Sequence, residues 1–147
     1  MTWSNRFVGI PHEDLGRTRE GADCWGLACI IYAEELGITL PDYLGYGSAE
    51  EHGEIAALIE GAQVSPLWVP IEGPAIAFDI AVFRRGRLPT HLGVVVRHGI
   101  MIHMAAEDAA KHQDYRHGPW SNRFAGHFRH RLRAVERPVQ IVSEAAR

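Results

Sequence analysis

The feature that most constrains this chain is a change of grammar near residue 64. Before it, Leu27, Ile30, Ile31 and Leu36 form an apolar stripe near helical spacing, Asp23 stands where an N-cap belongs, and Gly37 followed by Pro41 stops the helix. Ser48 with Glu51 three residues on has capping-box spacing and predicts a second helix through about Glu60. After residue 64 come short apolar runs between turn residues, at 67–71, 76–83, 91–97, 100–105, 127–134 and 138–142. Helices first and strands afterwards predict an α+β fold, with N-terminal helices packed on an antiparallel β-sheet, and argue against a βαβ alternation.

At 147 residues and 46% hydrophobic composition the chain is long enough to bury a core without staples, and no low-complexity tract or linker divides it, so one domain over 1–147 is expected. Residues 1–20, with turn residues at Gly9, Pro11 and Gly16 and Gly21 just beyond, read as an irregular arm. No apolar run approaches the roughly 18 residues that span a bilayer, and Met1–Phe7 lacks a secretory pattern. The expectation is synthesis in the cytoplasm without an export signal and no membrane insertion.

Charge is lopsided. Residues 1–73 hold 12 acids against 3 bases and residues 74–147 hold 6 against 12, giving −9 and +6. Two readings follow, an anionic partner for the Arg-rich half or mutual neutralisation of two packed halves. No nucleic-acid-binding motif accompanies the charge, so no nucleic acid is expected.

Chemistry concentrates at Asp23-Cys24-Trp25-Gly26-Leu27. A thiol with pKa near 8.5 falls to roughly 3.5–7.5 at a helix N-terminus beside an imidazolium, and Cys24 follows the N-cap directly. Backbone N–H groups there also supply oxyanion donors. Gly26 in the first turn lowers helix propensity by up to about 1 kcal/mol, which suggests a close backbone approach. Cys29, five residues on, diverges by about 140° around the helix and reads as a small buried hydrophobe, so both thiols are expected to be free.

His91 and His103 flank the turn Arg97-His98-Gly99, and both numbers are odd, so they share a sheet face only if paired residues sum to an even number. A two-residue loop pairs 97 with 100 and separates them. A three-residue loop with Gly99 left-handed pairs 96 with 100 and sets His91 diagonally across from His103, and this arrangement is predicted. One imidazole then serves Cys24 as base while the other fixes its tautomer. His52, His98, His112, His117, His127 and His130 are assigned to surface or structure. The rival chemistry is zinc held by His103, His112 and His117, or by His127 and His130, whose spacing lacks a third ligand pattern. The echo Trp-Ser-Asn-Arg-Phe at 3–7 and 120–124 suggests two edge segments lying together.

Gly21-Ala22-Asp23-Cys24-Trp25-Gly26-Leu27, Phe78-Asp79-Ile80-Ala81-Val82-Phe83, His91-Leu92-Gly93-Val94-Val95 and Met101-Ile102-His103, in that order over about residues 8–105, resemble the NlpC-type cell-wall peptidases. These are papain-like cysteine peptidases of bacteria and their phages that cut peptidoglycan stem peptides, commonly between D-glutamate and the diamino acid. The resemblance implies a papain-like fold, Cys24 as nucleophile, His91 as general base, His103 as its orienter, and stem peptide as substrate. Trp25 after the cysteine, and the segment Arg123–Arg131, resemble the branch found in phage tails, prophages and gene transfer agents. That branch implies phage-tail-like structural proteins as partners and delivery by such a particle to the cell wall. Where many members carry Gly-x-Pro-Tyr, this chain has Gly9-Ile10-Pro11-His12. His12, with Asp23 and Trp25, is a candidate for steadying the oxyanion or positioning substrate, or His12 marks altered specificity or weakened activity. Trp25, Tyr43 and Tyr46 are candidate walls of the substrate groove. Thiol hydrolysis needs no metal or organic cofactor. The competing functions are a tail-tip structural or adaptor protein that keeps the fold without useful catalysis, and a thiol amidase or acyltransferase acting on another amide.

Overall fold

The computed structural model describes residues 3–41, 67–85, 88–105 and 108–134. The second helix, the run at 138–142, His52, Tyr43 and Tyr46 lie outside them. Helix α1 runs Cys24–Ile31, and Tyr32–Leu36 continues it as a wider π turn. Gly37, at φ 67°, ends it in the left-handed conformation, as the sequence requires. The strands are β1 (Arg17–Thr18), β2 (Gly21–Ala22), β3 (Trp68–Ile71), β4 (Ile80–Arg85), β5 (Leu88–Arg97), β6 (Ile100–Met104), β7 (Ala110–Asp114) and β8 (Phe124–His130), with a short helix α2 (Gly118–Arg123) before β8. The fold is α+β, as expected.

Strands β3 to β8 form one antiparallel sheet in the order β3-β8-β4-β5-β6-β7, so the last strand inserts between β3 and β4. Alternation sorts its residues into two cores. Ile80, Val82, Leu92, Val94, Ile102, Met104 and Phe128 pack with Trp25, Leu27 and Ile31 of α1. Ala81, Phe83, Val95 and Met101 pack with Tyr115 on the other face, joined by Trp120 of α2.

The arm is more ordered than expected. Trp3–Phe7 forms a 3-10 turn, β1 pairs with β2, and Gly9–His12 runs beside Asp108–Ala110, with Gly9 N–H donating to Ala110 O and His12 N–H to Asp108 O, both at 2.9 Å. Arg19 donates to both carboxylate oxygens of Glu34 at 2.9 and 2.8 Å, clamping the arm to the end of the first helical segment. The two Trp-Ser-Asn-Arg-Phe copies do not form one edge. Trp3 packs with the α1-side core, stacked on Phe78 at 4.3 Å, whereas Trp120 joins the opposite core. The shared sequence sets a local helical turn in each place, and different partners capture it. Among the described residues Arg17 pairs with Asp23 and Arg129 with Asp79, each within its own half of the chain.

Candidate active site

Asp23 prepares the helix start. It is 1% exposed, and its Oδ1 accepts Gly26 N–H at 2.7 Å and an Arg17 guanidinium N–H at 2.8 Å, while Oδ2 accepts Leu15 N–H at 3.0 Å. Leu15 holds φ 60°, a left-handed backbone uncommon for a side chain of its size. Three donors occupy the carboxylate, so Asp23 works as N-cap and arm anchor. Gly26 meets the predicted close approach: a Cβ there would stand 1.9 Å from Gly16 O. Cys24, the first residue of α1, is 7% exposed and forms no disulfide. Cys29 forms no disulfide either but is only half-buried, with its Sγ 3.8 Å from Pro41 O.

Trp25 is not a groove wall. Its ring is 1% exposed, lies edge-on to Trp68 at 6.4 Å, and donates its indole N–H to Pro41 O at 2.7 Å. An aromatic one residue into a helix that packs on a sheet is drawn into the core, where its N–H needs a buried acceptor. His12 is half-buried, with Nε2 3.6 Å from Asp14 Oδ1, and its backbone is bridged to Ala22 two residues before the cysteine.

The structure brings His91 and His103 together. His91 Nε2 lies 2.7 Å from His103 Nδ1, and the rings are nearly perpendicular at 85°. The register Gly93↔His103, Val94↔Ile102 and Val95↔Met101 has the predicted even sum, and Gly99 is left-handed at φ 91°. The turn itself differs. Arg97 pairs with Ile100, and an irregularity between Val95 and Arg97 takes up the extra residue as a bulge, which preserves the register without a 96–100 pair. Gly93 makes the pair possible, since a Cβ there would lie 3.1 Å from His103 Cβ and 2.4 Å from Met101 Sδ.

Burial, then His103, then Arg123 push the His91 pKa down to about 3. Burial and then Lys111 push that of His103 down to about 4. Burial thus favours the neutral form of both rings, and with both neutral one proton lies between them and the tautomer decides which ring can accept another.

The histidines project on the face of Phe83 and Met101, and α1 packs on the alternating residues. Thiol and imidazoles nevertheless belong to one end of the sheet. The arm's pairing with Asp108–Ala110 continues through Pro11 and His12 to Ala22, two residues before Cys24, and Ala110 pairs with Met104 where β6 ends. The β5–β6 register carries His91 to that same end. His91 and His103 are in direct contact, and α1, which Cys24 opens, packs on β5 and β6.

Sequence reasoning missed Trp120. Its ring centroid lies 5.2 Å from that of His91 and 5.0 Å from that of His103, and the Arg123 guanidinium lies over it at 4.8 Å. The echoed Trp-Ser-Asn-Arg-Phe was the only signal, and it does not indicate which site the second tryptophan covers.

No curated protein matches the chain. Among solved structures, an NlpC/P60 family protein of Bacillus cereus ATCC 10987 superposes with a TM-score of 0.61 at 21% identity, covering 84% of this chain and 36% of that one. A Staphylococcus aureus Mu50 protein described as similar to lipoprotein, NLP/P60 family, gives 0.59 at 22%, covering 86% and 38%. The NlpC/p60 domain of the peptidoglycan hydrolase SagA gives 0.53 at 15%, covering 76% and 82%. This chain thus spans little more than a third of the first two proteins, and at such identities the likeness concerns the fold. The model of the NlpC/P60 family matches residues 9–129, a span that takes in Cys24, His91 and His103 and reaches past the resembling motifs into β8. The chain belongs to the NlpC/P60 family.

Proposed function

We propose that this protein is a cysteine peptidase that hydrolyses peptidoglycan stem peptides, with Cys24 as nucleophile, His91 as general base and His103 as the residue that orients it. The observation that carries the reading is the 2.7 Å bond between His91 Nε2 and His103 Nδ1, at the end of the sheet to which Asp23 and the arm deliver Cys24. Nε2 is committed to His103, so Nδ1 is the nitrogen that His91 offers to the thiol, around the end of the sheet. Proton transfer from Sγ to Nδ1 creates the thiolate, which attacks the peptide carbonyl. Backbone N–H groups at the start of α1 face the developing oxyanion, with His12 as a second donor from the arm. His91 then protonates the leaving amine, the acyl–sulfur bond is hydrolysed, and the thiol is restored.

The bond between D-glutamate and the diamino acid is the proposed target. Service in a phage-tail-like particle, which would carry the enzyme to the cell wall, is the proposed setting; the tryptophan after the cysteine and the Arg-rich segment 123–131 support it by resemblance. The test is cleavage of defined stem-peptide muropeptides followed by mass spectrometry, with wild type and Cys24→Ala. Cleavage at a single amide by wild type, lost in the variant, is expected. An intact substrate in both reactions refutes the peptidase reading and favours a structural tail protein.

A further inference from the structure

We infer that Trp120 is a positioning residue for the histidine pair: its indole π face accepts the Nε2–H of His103 and so selects the tautomer that leaves His91 Nδ1 unprotonated. His103 is 2% exposed, and its Nε2 has no hydrogen-bond partner among the described residues. The His103 and Trp120 rings meet edge-to-face, at 84° with centroids 5.0 Å apart. The 2.7 Å bond between the histidines admits two arrangements. In one, His91 Nε2–H donates to His103 Nδ1, so His103 carries its proton on Nε2 and His91 keeps a lone pair on Nδ1. In the other, His103 Nδ1–H donates to His91 Nε2, and a bare lone pair on His103 Nε2 is left buried.

An aromatic face is the negative part of the ring quadrupole. It attracts an N–H edge and repels a lone pair, and N–H···π contacts of this kind occur in proteins. The first arrangement therefore satisfies the buried nitrogen, and the second strands it. Trp120 is held for the purpose. Phe83 packs edge-on against it at 5.2 Å and 80°, the Arg123 guanidinium lies over it, and Arg123 Nε–H donates to Arg84 O at 2.9 Å, fastening α2 to β4.

The inference rests on His91 being the base, and its test does not depend on turnover. Histidine ring nitrogens of ¹⁵N-labelled wild type, Trp120→Phe and Trp120→Leu are read by long-range ¹H–¹⁵N correlation at pH 7. In wild type, His103 is expected to carry its proton on Nε2, with that proton shifted upfield by the indole ring current. Phe, which keeps a π face, retains the tautomer, whereas Leu, which keeps bulk alone, loses the upfield shift and mixes the two tautomers. Wild-type His103 protonated on Nδ1 overturns the inference whether or not either variant folds. So does an unchanged tautomer in Trp120→Leu. In muropeptide cleavage, Trp120→Leu is expected to lower kcat tenfold or more with little change in KM, and Trp120→Phe to restore most of it. Failure of all three proteins to cleave tells against the peptidase reading and leaves the tautomer result standing.

Discussion

Asp23→Asn isolates what the helix cap does for the site. The amide oxygen can still accept Gly26 N–H, and Asn caps about as well as Asp, so the cap itself survives. The amide nitrogen, however, cannot accept Leu15 N–H, and two donors then face each other across the 3.0 Å now bridged by Oδ2. A part-buried N–H left unpaired costs about 1–3 kcal/mol, and turning the Arg17 contact from charged to neutral costs about 1 kcal/mol more. The expected loss is about 2–4 kcal/mol, and Asp23→Ala adds about 1 kcal/mol for the lost cap. Equilibrium urea unfolding should show a lower midpoint with an unchanged m value. Leu15, at φ 60°, gives up its anchored left-handed turn in the same step, so the arm loosens beside Cys24 and kcat falls. A stability within about 0.5 kcal/mol of wild type, the range of ordinary surface substitutions, refutes the claim that this carboxylate ties arm to helix.

Gly26→Ala places a Cβ against the backbone oxygen of Gly16. The overpacking of about 1–3 kcal/mol, or somewhat more against backbone, outweighs the gain in helix propensity of about 1 kcal/mol, so calorimetry should show a fall in Tm of several degrees. Acid should weaken the fold through the histidine pair. The folded-state pKa values of His91 and His103 lie below the unfolded value near 6.5, so the unfolded chain binds more protons below that pH and stability falls as pH drops toward the folded values of about 3 and about 4. Between pH 7 and pH 5 each histidine contributes a loss of at most about 2 kcal/mol. Urea midpoints at the two pH values check it, and His103→Asn should flatten the dependence.

Local chemistry made much of this legible. The Asp23 cap, the Gly37 stop, the Gly26 approach and the even register of β5 and β6 each follow from residues close together in sequence. What stayed hidden depended on partners far along the chain. β7, Ala110–Asp114, is a polar edge strand with no apolar period of its own, and β6 recruits it. β4 starts later than the apolar run 76–83 because Asp79 closes a turn on Ile76, its Oδ2 accepting Ile76 N–H at 2.9 Å, and Phe78 turns left-handed at φ 75°. β8 begins earlier than its apolar run because α2 ends directly at Phe124. Six residues containing a proline carry no helical period, so α2 and the tryptophan it sets over the histidines were invisible. Trp25 shows the converse limit. Its type and position beside the cysteine suggested a substrate wall, and only the packing of α1 on the sheet reveals it as core.

If Cys24 and the His91–His103 pair form one chemical unit, the ionisation of the Cys24 thiol depends on His91. In a Cys29→Ser background, the rate of alkylation by iodoacetamide is followed against pH, with His91 intact and with His91→Gln. The expected result is a thiol pKa well below the usual value near 8.5 with His91 present, and a rise of at least one unit when the imidazole is removed. The same pKa in both proteins would mean that thiol and imidazole do not meet, and would contradict it.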